Sequence, residues 1–529
     1  MKGSVTVRLA LFLAWLLPAA GLSIETGGLP QLKNDISEII QGLLSCYEKT
    51  GESRFLEKAI YFGEMRTHPL FELTWGKHRQ CLGIEQRLLR ASADFRARFR
   101  DGACPPGESE SALCHLGQEY IQAADRALSA PRKTALSLPD ACSIGRIQRR
   151  LLPGQVLLKY VLLDERLLLF YVGADSAGYE FLQVGRAQAA ALVGRLSAPL
   201  EDFANGRVDY LRIHFDMELA HRLFNIFLGQ VTQRFPRADE LFIIPDGELY
   251  KLPFEALVTG FSGSLPMDDT LFSEYLSADY LIQKYKVSYF FSYADFLRDF
   301  SIRKEYPLAL AAFGDPLVAV PGPGSPPLKP GSANALAGIP STRREIESLE
   351  KLFSGSSRRI FLGAKFTRGN FVRFAPQAKL IHVASHFFND EEDPSRSAFL
   401  FSASGSPPSL CDTRQILELH LRAELVILSA CESSEKDLLG FKLLSGMTAA
   451  IRQAGARDLI ASLWPVDEFS SQVVPLFYRK YLECGVSATA LRNAKLALFG
   501  KTIPMRGGVR LSLAHPFLWA NYVLYHFYR

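Results

Sequence analysis

Between Asp35 and Leu128 apolar residues recur at helical spacing, and the chain there predicts two helix pairs. The first turns at Tyr47 to Gly51 and continues through Phe55, Leu56, Ala59, Ile60 and Phe62; the second spans Ile84 to Phe99 and Leu113 to Leu128. This is the pattern of a tetratricopeptide-like unit, and one or two such units need a neighbour to cover their apolar faces. From Val156 to Tyr171 the pattern becomes alternation broken at Asp164 and Glu165, which predicts a β-hairpin. Helical periodicity from Asp216 to Phe235 leads into a strand at Glu240–Ile244, stopped by Pro245, Asp246 and Gly247. Asp246 is a turn residue there, not a catalytic acid.

Farther on, short apolar runs alternate with amphipathic stretches. Strands are predicted at Pro307–Phe313, Arg359–Leu362, Leu380–Ala384, Ala398–Ser402, Leu425–Leu428 and Leu459–Leu463, and helices at Thr342–Phe353, Phe441–Gln453, Ser470–Glu483 and Ala488–Phe499. Such alternation predicts an α/β fold: a mostly parallel sheet with helices on both faces, preceded by the helical segment. The predicted units are a signal peptide or anchor over 1–22, the helical segment over 24–140, a first α/β half over 150–317, a linker over 318–340 and a second α/β half over 341–529. The linker, dense in Pro, Gly, Ser and Ala, is a natural place for nicking, as is the Asn389 to Arg396 loop.

Composition narrows the function classes. Forty-eight per cent hydrophobic and 22% charged residues describe a globular chain, and a net charge of +5 gives no reason to invoke nucleic acid or a membrane surface. Lys2 and Arg8 precede the apolar run Leu9 to Leu17 and the small residues Ala19 to Gly21, the layout of a secretory signal of a bacterial protein, periplasmic or secreted. The cytoplasm is the alternative, and no transmembrane span is expected after signal removal. In an oxidising compartment some of Cys46, Cys81, Cys104, Cys114 and Cys142 could pair, whereas Cys411 and Cys484 are packing or surface thiols.

The candidate chemistry lies at two strand ends. His386 closes KLIHVASH and Cys431 follows LVILSA; in one parallel sheet both reach the carboxyl rim, where α/β folds keep their sites. A thiol beside an imidazole is a nucleophile with its base. His382 and His386 share the spacing of a zinc-binding helix, but the glutamate is missing and the setting is a strand, so no metal is expected; His382 is support.

Six ordered segments extend this. IIPDGELYKLPFEAL, FGDP, IHVASHF, LVILSACES, AGARDLIASLWPVDE and HPFLWANYVLY, between Ile243 and Tyr525, together resemble the CHAT family of caspase-like cysteine peptidases, relatives of separase. The resemblance implies a caspase-like endopeptidase that needs no cofactor, with a catalytic second half and a non-catalytic first half. It implies His386 as general base, Cys431 as nucleophile, and an oxyanion hole from the N–H groups of Cys431 and Phe387. Two departures stand out: Phe387 occupies a position where the family has glycine, and Gly440, Phe441 and Lys442 replace a Gly-Glu-Gly. Asp467 and Glu468, beyond Trp464, are the expected substrate-binding residues, and the resemblance to separase implies cleavage after a basic residue; the alternative role for Asp467 is the cap of a helix beginning near Ser470. The expected partners are a protein or peptide substrate and a regulatory protein bound through the helical segment. The rival expectations are an inactive caspase-like interaction scaffold and a small-molecule acyl or amide hydrolase.

Overall fold

The computed structural model describes residues 28–67, 79–97, 99, 108–128, 143–204, 213–262, 270–300, 305–317, 340–388, 397–402, 409–430, 447–464, 466, 469–505 and 508–528. The linker predicted over 318–340 and the Asn389 to Arg396 loop fall almost wholly outside these residues.

Helices α1 (Gly28–Thr50) and α2 (Ser53–Thr67) form a hairpin. It turns at Gly51, whose N–H donates to the Tyr47 carbonyl at 2.8 Å and whose φ of 69° is a left-handed closure that glycine adopts freely. Helices α3 (Arg79–Ala97) and α4 (Glu108–Leu128) make the second pair. The first half of the sheet-bearing region holds strands β1 (Gln155–Leu162), β2 (Leu167–Gly173), β3 (Ala177–Leu182), β4 (Glu240–Ile244), β5 (Val258–Phe261), β6 (Ala278–Tyr280) and β7 (Lys286–Tyr289). It also holds helices α5 (Arg186–Ala204) and α6 (Met217–Phe227). The second contains β8 (Leu308–Gly314), α7 (Pro340–Leu352), β9 (Arg358–Leu362), β10 (Ala378–Ser385), β11 (Phe387–Phe388), β12 (Ala398–Phe401), β13 (Ser409–Asp412) and β14 (Leu425–Ala430). Then come α8 (Ala449–Ala454), β15 (Asp458–Ser462), α9 (Val473–Cys484), α10 (Ser487–Phe499), β16 (Thr502–Pro504), β17 (Arg510–Ser512) and β18 (Tyr522–His526).

Both halves share one 11-stranded sheet in the order β3-β2-β1-β4-β7-β18-β15-β14-β10-β8-β9. β1, β2 and β3 are an antiparallel meander, and the predicted hairpin is its first turn. β4, β7 and the strands from β15 to β9 run parallel to their neighbours, except where β15 pairs antiparallel with β18. The last strand therefore joins the halves, meeting β7 through Tyr525 and Tyr289. β8, on the first-half side of the sequence boundary at 317, lies between β10 and β9 in the half that carries His386.

Pleating sorts the side chains into two layers. Along β1, Val156, Leu158, Tyr160 and Leu162 join the core beneath α5 and α6, while Leu157 and Val161 face the amino-terminal helices. Those helices close over Phe170, Phe242, Ile244 and Phe290, so the segment is a cap on the sheet and not a free-standing repeat. Gly63 permits the close approach: a Cβ there would lie 3.2 Å from both Phe170 and Val161. A buried ion pair, Glu64 with Lys159 at 3.1 Å, fastens α2 to β1, and Glu64 also accepts the Tyr293 N–H at 2.9 Å.

Across the halves, Lys495 of α10 meets Glu255 at 3.0 Å, and Tyr289 donates to the same carboxylate at 2.6 Å. Arg452 of α8 pairs with buried Asp295. Asp246 accepts the Leu162 N–H at 2.7 Å and lies 3.7 Å from Arg66, which gives it a structural task at the turn. Cys46 is disulfide-bonded, Cys411 is a buried thiol and Cys484 an exposed one. Among the described residues no helix is long and apolar enough to cross a membrane.

Candidate functional site at the carboxyl rim

β10 and β14 are uninterrupted apolar runs, as strands buried on both faces must be. They pair in parallel, with Leu380 opposite Leu425 and Ser385 opposite Ala430. The residues that follow each of these last partners are His386 and Cys431. Cys431 itself lies outside the described residues, as do Gly440, Phe441, Lys442, Asp467 and Glu468.

His386 is only 2% exposed and sits where the chain leaves the main sheet. Beyond it, β11 joins β12 and β13 in a three-stranded antiparallel sheet. The Ser385 hydroxyl donates to the Leu400 carbonyl at 2.8 Å, and the Leu400 N–H donates to the His386 carbonyl at 3.1 Å. Two sheets thus grip the backbone on either side of the imidazole.

Phe387 opens β11. Its backbone is an extended strand, absent from the residues with positive φ, so no glycine is required there. The bond between His386 and Leu400 makes them the hydrogen-bonded pair of the ladder; the alternation of such ladders turns the Phe387 N–H away from β12. The Phe387 ring packs on Phe399 with centroids 5.8 Å apart.

β15 lies directly beside β14, as the pocket prediction requires. Trp464, two residues past its end, is 3% exposed; its indole N–H donates to the Phe517 carbonyl at 3.1 Å and its ring stacks on Phe517. Packed in this way it presents no open face to a substrate. Helix α9 begins at Val473 after a short 3-10 turn, with Gln472 at its N-cap position. The cap position of α9 is therefore not Asp467.

Below the rim lies a buried polar chain. Glu345 of α7 places Oε1 2.7 Å from His382 Nε2, a contact oblique to the ring N–H, and accepts the Ser429 hydroxyl on Oε2 at 3.2 Å. Tyr478 of α9 lies 3.3 Å from His382 Nδ1, and Tyr522 of β18 lies 3.0 Å from the Ser429 hydroxyl. With Ser429 donating to Glu345, Tyr522 must donate to Ser429. Burial, aided by the Glu345 charge, pushes the Tyr478 hydroxyl well above its ordinary pKa, so it keeps its proton and donates to the His382 tautomer that carries its hydrogen on Nε2, beside Glu345. One donor chain, from Tyr522 through Ser429, ends on the carboxylate, and the His382 imidazole lies against its other oxygen.

Of these five residues the sequence marks only His382 as site support. Glu345 could have been found: it shares the buried stripe of α7 with Thr342, Ile346 and Leu349.

The CHAT domain model matches residues 217–526, more than half of the chain. No curated protein matches the sequence. Among solved structures the chain is similar to a chain of the Saccharomyces cerevisiae separase–securin complex, at 9% identity and a TM-score of 0.42. The match covers 94% of this chain and 40% of that one, so the chain spans less than half of its length.

Proposed function

Because the chain belongs to the CHAT domain family, whose fold is caspase-like, we infer that it is a cysteine endopeptidase acting on a specific partner protein through His386 and Cys431. The observation that carries this reading is the register of β10 and β14, in which Ser385 and Ala430 are partners and His386 and Cys431 are the residues that follow them in the sequence.

A thiol with a pKa near 8.5 is only a few per cent ionised at neutral pH, so the nucleophile needs a base. His386 takes the Cys431 proton, and the thiolate attacks the scissile carbonyl carbon. The oxyanion accepts the N–H groups of Cys431 and Phe387; the extended backbone of Phe387 supports its part in this. His386 then protonates the leaving amine, and a water molecule deprotonated by the same imidazole hydrolyses the thioester.

Asp467 and Glu468 give the substrate pocket its charge and hence a preference for arginine or lysine before the scissile bond. Trp464 acts by holding their loop. The amino-terminal helices, with their apolar side on the sheet, have only the outer face for a regulatory partner. The disulfide at Cys46 supports an oxidising compartment, periplasmic or extracellular.

The test is a peptide library with a varied residue before the bond, digested by wild type and by Cys431→Ala. Cleavage after basic residues by wild type alone is expected. Cleavage by both proteins or by neither would sink the peptidase reading, and cleavage by neither would favour an interaction scaffold.

A further inference from the structure

Glu345 is the residue whose side chain spans the two strands that lead to the dyad. One carboxylate oxygen lies against His382 of β10, four residues before His386, and the other accepts from Ser429 of β14, two residues before Cys431. We propose that Glu345 is a positioning residue that clamps β10 to β14 and so fixes the separation and relative height of His386 and Cys431. This rests on the reading of those two residues as a dyad.

Three features carry the proposal. The anchors lie in the right rows: His382 and Ala384 of β10 pair with Ile427 and Ser429 of β14, so both anchors share a face, on strands that the sequence continues into His386 and Cys431. Among the described residues the main sheet's pairing of these two strands also stops just before His386. Its last pair between these strands is Ser385 with Ala430, and beyond it the chain after His386 turns into a different sheet. Finally, each anchor has a second partner. Tyr522 of β18 meets Ser429, whose hydroxyl donates to the carboxylate, and Tyr478 of α9 meets His382, whose Nε2 lies 2.7 Å from the other carboxylate oxygen. An apolar residue on α7 would fill the same buried stripe without a desolvated charge. What the carboxylate adds is a fixed distance between two strands.

The test joins amide exchange to kinetics in the full chain. Exchange is followed by mass spectrometry in peptides 379–386 and 425–431, and kcat and KM are measured on a peptide that wild type cleaves. Glu345→Ala is expected to speed exchange in both peptides about tenfold and to lower kcat by roughly 10- to 100-fold with KM little changed. Ser429→Ala, which cuts one arm, should loosen peptide 425–431 and spare 379–386. Glu345→Gln, which bridges His382 and Ser429 once the Ser429 and Tyr522 hydroxyls reverse so that Ser429 accepts the amide N–H, should keep slow exchange and most of kcat; this rescue is beyond a merely space-filling role. These two milder variants decide the matter if Glu345→Ala does not fold. Unchanged exchange in both peptides, equal loosening of both by Ser429→Ala, or loosened strands with undiminished kcat would each overturn the clamp. Loosening in the predicted pattern, in a protein that cleaves nothing as wild type, would uphold the clamp and remove the peptidase reading.

Discussion

Replacing Lys159 with methionine strikes the joint between the amino-terminal cap and the sheet. The ammonium lies 3.1 Å from the Glu64 carboxylate with both side chains buried, and it also donates to Thr67 at 2.6 Å. Removing one partner of a buried pair costs about 3–5 kcal/mol, because the charge left behind has lost its compensation. Here the survivor is Glu64, whose pKa burial already raises while Lys159 pulls it down. Without Lys159 the carboxyl rises further and is held partly protonated. A group that binds its proton more tightly when folded loses stability as pH rises, so Lys159→Met should be worst near pH 8 and recover toward pH 5. The recovery is about 1.4 kcal/mol for each pH unit travelled below the raised pKa. Glu64→Gln with Lys159→Met removes both charges, keeps an acceptor for the Tyr293 N–H, and should lie within about 1 kcal/mol of wild type. Urea unfolding by far-ultraviolet circular dichroism at pH 8, 6.5 and 5, with amide exchange across Ser53–Thr67, reads both quantities. A single variant within about 1 kcal/mol of wild type at pH 8, or a loss that ignores pH, would refute the reasoning.

Burial among Phe272 and Tyr275 pushes His515 down to about 3, so the unfolded chain takes its proton first. Stability should be complete above pH 6.5 and fall as pH drops through the window toward 3, by about 2 kcal/mol at pH 5. His515→Asn should flatten that slope in urea titrations; parallel slopes would contradict it. Asp467→Ala should lower kcat/KM for peptides with arginine before the bond by roughly 10- to 100-fold, leaving folding intact. An unchanged preference would remove Asp467 from the pocket. Native alkylation with iodoacetamide should modify exposed Cys484 well before buried Cys411, and Cys46 only after reduction, as read by peptide mass spectrometry. Equal rates at Cys411 and Cys484 would count against the packing around β13.

The parallel strands were legible because buried strands have nothing polar to interrupt them: β4, β10, β14 and β15 coincide with their predicted runs to within a residue or two at each end. β3 was missed, being an edge strand whose Gly178 and Glu180 break the apolar pattern, and β7 was too short to register. Tyr522–His526 lay in a matching segment, yet its place between the halves depends on partners more than two hundred residues away at Tyr289. His386 and its register beside β14 were readable from strand spacing. The backbone of Phe387 was not, since its extended conformation comes from pairing with Phe399 across a loop. Glu345 stood out in the sequence only as one charge among Arg343 and Arg344. Its neighbours on the buried stripe, and the serine and histidine that meet it, come together only when α7 lies across β10 and β14.

The central claim is that His386 activates Cys431. Its most direct measurement is the intact mass and peptide map of the full chain after treatment with a peptidyl-arginine chloromethyl ketone. One adduct on Cys431 is predicted in wild type, none in Cys431→Ala, and a much slower one in folded His386→Ala. Labelling of Cys431 at the same rate with and without His386, or no labelling in wild type, would contradict it.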